Sequence, residues 1–129
     1  MVEDNAFIRD LFAYGVRRYG SSRRREIHLA IAEDAESAWS MLGEQDFHMA
    51  IVDHYLPVQN GAQLIGKIRA DPRLAAMPVV AISVGGQDAR DASMEAGADL
   101  FLDKPIVLVD LFDTLDKLGD HHEERRKDS

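Results

Sequence analysis

The stretch HMAIVDHYLPVQNG, residues 48–61, decides the fold. Its first half is an apolar run that stops at an acid, Asp53. Its second half is a loop, marked by Pro57 and by the Asn60-Gly61 pair. Met49 to Val52 are apolar without alternation, as in a strand covered by other elements on both faces. A second such run, PVVAIS (78–83), ends at Ser83, and a third, LFLD (100–103), leads into Lys104-Pro105.

Working outward, helical stripes separate these runs. After Asn5, an N-cap residue, Phe7, Ile8, Leu11, Phe12, Val16 and Tyr19 share one stripe, which Gly20 is expected to end. EIHLAIA (26–32) reads as a further strand. Asp34 caps a helix with Ala35, Ala38, Trp39 and Leu42 on one face. Leu64, Ile65 and Ile68 mark the next helix, which Pro72 closes. The loop VGGQD then opens an Ala-rich helix to Gly97, and Leu108, Leu111, Phe112, Leu115 and Leu118 form a last stripe, closed by Gly119. Strand–helix alternation of this kind predicts a doubly wound α/β sheet.

Composition narrows the function classes. The chain has 129 residues, 46% of them apolar and 29% charged, ordinary usage for one globular domain. It contains no apolar run near the roughly 18 residues of a membrane span, and no signal-peptide pattern. Without cysteine there is no disulfide, thiol nucleophile or thiolate metal site, which fits a cytoplasmic protein. A net charge of −8 argues against nucleic-acid binding. The one basic stretch, Arg17 to Arg25, reads as a solvated helix end and loop.

In a doubly wound sheet the working crevice lies beyond the carboxyl ends of the strands. Glu3, Asp4, Asp53, Ser83 and Lys104 stand there. Carboxylates gathered together repel one another unless a cation sits among them, and a hard divalent ion such as Mg2+ suits oxygen ligands. A carboxylate beside such an ion can attack a phosphoryl group, with a lysine and a hydroxyl to meet the phosphoryl oxygens. Taken singly, each residue has a plainer reading as a turn acid, a loop hydroxyl or a solvated lysine. Their joint placement, each at a different strand end, favours the shared site.

Four motifs in order carry a family resemblance: VEDN (2–5), IVDHYLPVQNG (51–61), PVVAIS (78–83) and GADLFLDKPI (97–106). From residue 1 to about 118 the chain resembles the receiver domain of bacterial two-component response regulators. The resemblance implies a flavodoxin-like fold with five parallel strands in order 2-1-3-4-5, the first of them shortened here. It implies a receiver domain over 1–119, with 120–129 a polar tail or helix extension. Asp53 would be the phospho-acceptor, served by a sensor histidine kinase or a phosphotransfer protein. Asp4 and Asp53 would bind Mg2+ directly, Glu3 through water, and the backbone carbonyl of Tyr55 would complete the protein ligands. Ser83 would move to the phosphoryl group, Lys104 would pair with it, and Phe101 would be the switch aromatic. Pro105 would follow a cis peptide bond. The face formed by residues 85–118 would then change its downstream protein partner or output domain. Such a switch is not an enzyme beyond its own phosphotransfer and autodephosphorylation, and this domain would bind neither nucleic acid nor membrane.

The pattern also departs from the family. Ser83 and Phe101 replace the more frequent Thr and Tyr, and Val84 stands where Ala or Gly is usual, so its bulk is expected to narrow the approach to Asp53. His48 and His54 lack the rest of a metal-ligand set, and the tail DHHEERRKDS reads as solvated. Three rivals stand beside the switch. One is a receiver-fold interaction module that works without phosphorylation. An aspartate-nucleophile phosphatase needs a second acid where Tyr55 stands, and a flavodoxin needs a hydroxyl-rich loop that EDNAF does not supply. Only Met1 and Val2 lead into the acidic pair, about 7 Å of extended chain, where a strand usually has five or six residues. Three or four apolar residues restored before Met1 are expected to raise the melting temperature.

Overall fold

The computed structural model describes residues 1–127, with side chains through Leu118. The elements run α1 (Ala6–Arg23), α2 (Ala35–Glu44), β1 (Ala50–Asp53), α3 (Gly61–Ala70), β2 (Val79–Ser83), α4 (Gly86–Ala96), β3 (Leu100–Asp103) and α5 (Leu108–Lys127). The strands form a parallel sheet in the order β1-β2-β3, with Ala50 opposite Val79 and Val80 opposite Leu100.

The unbroken apolar runs are explained by two cores, one on each sheet face. Ala50, Val52, Val79 and Ala81 point into a core shared with Leu64, Ile65 and Ile68 of α3 and Ala35, Ala38 and Leu42 of α2. Ile51, Val80 and Ile82 point the other way, against Phe12 and Tyr19 of α1 and Leu111, Leu115 and Leu118 of α5. Each such Val, Ile or Leu contributes about 1.5–3 kcal/mol by burial, so a polar residue on either face would be costly. That is why these strands do not alternate.

The expectation of five strands needs correction. Three are formed among the described residues, and the segments at Met1–Glu3 and 26–32 reduce to isolated parallel bridges, Val2 with Ala32 and Val2 with Val52. The Val2 N–H donates to Ile51 O at 2.8 Å, and the Asp53 N–H donates to Val2 O at 3.0 Å. On the opposite edge the Glu3 N–H donates to Ala32 O and the Ala32 N–H to Met1 O. EIHLAIA has strand-like residues, but a strand exists only where a neighbouring backbone pairs with it. The Met1 amino group donates to Ala30 O at 2.8 Å, and among the described residues no ladder forms along 26–29.

Helix ends also differ from the sequence reading. α1 continues past Gly20 to Arg23, and Arg24 turns the chain in the left-handed region at φ 55. Gly20 serves the return instead: the Arg25 N–H donates to its carbonyl at 2.9 Å, and a Cβ at Gly20 would lie 2.9 Å from Arg25 O. α5 runs through Gly119 rather than stopping there. α4 ends at Gly97 as read, with that residue at φ 115. α3 starts with a capping box in which the Asn60 and Gln63 side chains each accept from the other's backbone N–H.

Candidate functional site

β1 ends at Asp53 and β2 at Ser83, and Lys104 follows β3. The Val2 bridges bring Glu3 and Asp4 to the same edge of the sheet. Glu3 and Ser83 are fully buried and Asp53 nearly so, whereas Asp4 is exposed. Lys104 Nζ lies 2.9 Å from Glu3 Oε2 and 3.3 Å from Asp53 Oδ2, so one ammonium is shared by two buried carboxylates. Carboxylate oxygens of Glu3, Asp4 and Asp53 come within 4.8 Å of one another.

Several local contacts fix these groups. The Asn5 N–H donates to Glu3 Oε1 at 3.2 Å, and the Tyr55 N–H donates to Asp53 Oδ1 at 3.3 Å. From α1, Arg9 Nη1 donates to the backbone carbonyls of both Glu3 and Asp4, at 3.2 and 3.1 Å. Behind the acceptor loop the Gly61 N–H donates to His54 O, and a Cβ at Gly61 would meet Asp53 O at 2.2 Å. Only a residue without a side chain lets α3 begin so close to the acceptor's backbone.

Burial and the neighbouring Glu3 carboxylate push Asp53 up to about 6, against the opposing pull of Lys104 and the Tyr55 N–H. Three carboxylates against one ammonium leave the pocket with excess negative charge. The donor set is all hard oxygen, with one acid exposed and two buried, and it fits a divalent ion such as Mg2+.

The remaining sequence candidates take these places. Ser83 Oγ accepts the Gly85 N–H at 2.9 Å. Phe101 is half-buried against the α2–α3 core, with the Arg90 guanidinium carbon 5.8 Å from its ring centroid. The Lys104-Pro105 peptide bond is cis. Val84 stands 72% exposed at the mouth of the strand ends. The Tyr55 side chain is half-exposed and lies across Gly85, where a Cβ would come 2.4 Å from its hydroxyl oxygen. His54 is buried, its ring edge-on to Tyr55 at 4.8 Å between centroids. Sequence reasoning missed Arg9 and the packing of Tyr55 on Gly85. Arg9 sits one turn into α1, a position from which a long side chain can reach back over the helix start. The Tyr55 contact joins two loops and has no local signal.

Comparison with known proteins agrees with this geometry. The family model described as the response regulator receiver domain matches residues 1–116. The chemotaxis protein CheY-3 of Vibrio cholerae is 29% identical over 121 residues, covering 92% of this chain and 88% of that protein. A chemotaxis protein CheY homolog of Campylobacter jejuni is 27% identical over 109 residues, covering 83% and 80%. Among solved structures, the receiver domain of a sensor histidine kinase from Pseudomonas aeruginosa PAO1 superposes with a TM-score of 0.80 at 24% identity, covering 92% of this chain and 93% of that one. That structure has a magnesium ion coordinated in its active site cleft.

Proposed function

The chain belongs to the response regulator receiver domain family, and on that premise we propose that it is the phospho-acceptor switch of a two-component phosphorelay, with Asp53 as acceptor. The observation that supports this most is the burial of Asp53 beside Glu3, with Lys104 held between the two carboxylates. A purely structural acid at a strand end has no need of a second buried acid facing it.

The upstream partner is a sensor histidine kinase or phosphotransfer protein. An Asp53 carboxylate oxygen attacks the phosphorus of its phosphohistidine. The O–P bond forms as the P–N bond breaks, and the departing imidazole takes up a proton. Attack requires the ionised carboxylate, which predominates above a pKa of about 6. Glu3, Asp4, Asp53 and the Tyr55 carbonyl are the groups that would hold Mg2+, which when bound supplies positive charge against the phosphoryl oxygens. Lys104 turns from its two carboxylates to the new phosphoryl group. The Ser83 hydroxyl exchanges the Gly85 N–H for the same oxygens, drawing the loop after β2 with it. Phe101 follows by repacking, and the 85–118 face changes its downstream protein partner. The domain is a signalling switch acting on itself in the cytoplasm, rather than an enzyme with a separate substrate.

Incubation with acetyl phosphate and Mg2+ tests the assignment. Mass spectrometry should show a single phosphoryl addition that Asp53→Ala abolishes. No addition to the folded, Mg2+-bound protein would replace the switch with an interaction module of fixed contacts.

A further inference from the structure

Arg9 works in two directions at the start of α1. Its N–H donates to Asn5 O at 3.0 Å and closes the first turn of the helix. Its side chain turns back the other way, where Nη1 donates to the carbonyls of both Glu3 and Asp4, at 3.2 and 3.1 Å. Those two carbonyls come before the N-cap residue Asn5, so the helix's own ladder has no bond for them. The arginine side chain is only 18% exposed, and it supplies the partner that a half-dry carbonyl needs. We propose that Arg9 is a positioning residue of the acidic pocket, clamping the bend between Glu3 and Asp4 so that both carboxylates meet one divalent ion. The inference rests on the reading of the pocket as a Mg2+ site.

The need for a clamp follows from chain geometry. In an extended chain, consecutive side chains point to opposite faces and consecutive carbonyls to opposite sides. Glu3 still belongs to the extended run, its N–H donating to Ala32 O at 3.0 Å. One residue later the chain bends at Asp4. Past that bend the carboxylates of the two neighbours converge, coming with Asp53 to within 4.8 Å of one another, one of them buried and the other exposed. A single nitrogen can meet two consecutive carbonyls only where these have converged as well. The two bonds are charge-assisted and therefore among the stronger kind. Without them the bend has to be ordered as the ion binds, and that cost falls on the ion's affinity. The ion pair on the other side of the guanidinium does not explain its position: Nη2 lies 3.7 Å from Glu33 Oε1, and that acid is 76% exposed, so the contact contributes little. Lysine is no substitute, because its side chain ends one bond short of the Nη1 position and carries a more strongly hydrated charge.

The test measures Mg2+ affinity in the folded chain for the parent, Arg9→Met, Arg9→Lys and Glu33→Gln. MgCl2 is titrated calorimetrically and followed by the backbone amide shifts of Glu3, Asp4 and Asp53, with urea denaturation in chelator run beside it. Arg9→Met should weaken Mg2+ binding about tenfold or more, the usual effect of losing a group that orients metal ligands. Arg9→Lys should weaken it too, and Glu33→Gln should stay within about twofold of the parent. An Arg9→Met affinity equal to the parent's, even with a loss of stability, would overturn the proposal and leave the arginine to folding alone. Arg9→Lys equal to the parent would overturn it by showing that a nearby charge suffices. A fall in Glu33→Gln as large as that in Arg9→Met would overturn it by giving the effect to the ion pair. A parent chain that binds no Mg2+ would sink both the clamp and the phosphorylation switch. A parent that binds Mg2+ and takes phosphate on Asp53, beside an unaltered Arg9→Met, would sink the clamp alone.

Discussion

Lys104→Met removes the one ammonium among the described residues that reaches both Glu3 and Asp53, at 2.9 and 3.3 Å. The side chains of those acids are 1% and 4% exposed, so water cannot replace the lost partner. Removing one member of a buried ion pair costs about 3–5 kcal/mol. For a domain of this size that is a fall of roughly 10–20 °C in melting temperature. The carboxylates have one escape, which is to take up a proton. Asp53 already sits at about 6 because of burial and Glu3, and without the ammonium it moves higher. A folded-state acid raised above its unfolded value binds more protons folded than unfolded, so stability falls as pH rises through the window between the two. The loss should therefore be full near pH 7 and less than half as large near pH 5. Urea denaturation followed by circular dichroism, in chelator and at both pH values, measures it. A loss below about 1 kcal/mol at pH 7, or an equal loss at both, would refute the account of the pocket as two acids held by one cation.

Three further outcomes are expected. Gly61→Ala places a methyl against the Asp53 carbonyl and should cost about 2–3 kcal/mol in chemical denaturation, with slower phosphorylation by acetyl phosphate because the acceptor loop must shift. Asp53→Asn should gain on the parent chain by on the order of 2–3 kcal/mol between pH 4 and pH 7, since it lacks an acid raised from 3.8 to about 6; a flat difference across that range would contradict the raised value. Val84→Ala, at a 72% exposed position, should leave stability within about 0.5 kcal/mol while quickening phosphorylation by acetyl phosphate or loss of the phosphoryl group; unchanged rates would remove Val84 from any role in access.

How much of this was legible in the residues depended on where each signal lives. The runs at 49–52 and 79–82 read correctly as doubly covered strands because burial on both faces writes itself as unbroken apolarity. The placement of Asp53, Ser83 and Lys104 was visible because topology, not local sequence, gathers the ends of parallel strands at one edge. EIHLAIA misled because strand-forming residues do not reveal whether a partner backbone pairs with them, and among the described residues only Ala32 forms a bridge. Gly20 and Gly119 misled because glycine also serves close approach or is simply carried within a helix. Arg9 left no mark because it acts on backbone carbonyls, which every sequence contains.

The Val2 bridges carry a last consequence. Glu3 helps hold the pocket with its side chain while its N–H closes the ladder to Ala32, and the Asp53 N–H closes the ladder to Val2. Any opening that frees those amides for exchange with solvent deuterium also disperses the carboxylates. An ion bound at one hundred times its dissociation constant stabilises the closed form by about 2.7 kcal/mol. Deuterium uptake at Glu3, Ala32 and Asp53 should slow about a hundredfold under that load. Three backbone amides thus become a gauge of pocket occupancy, readable without following phosphate at all.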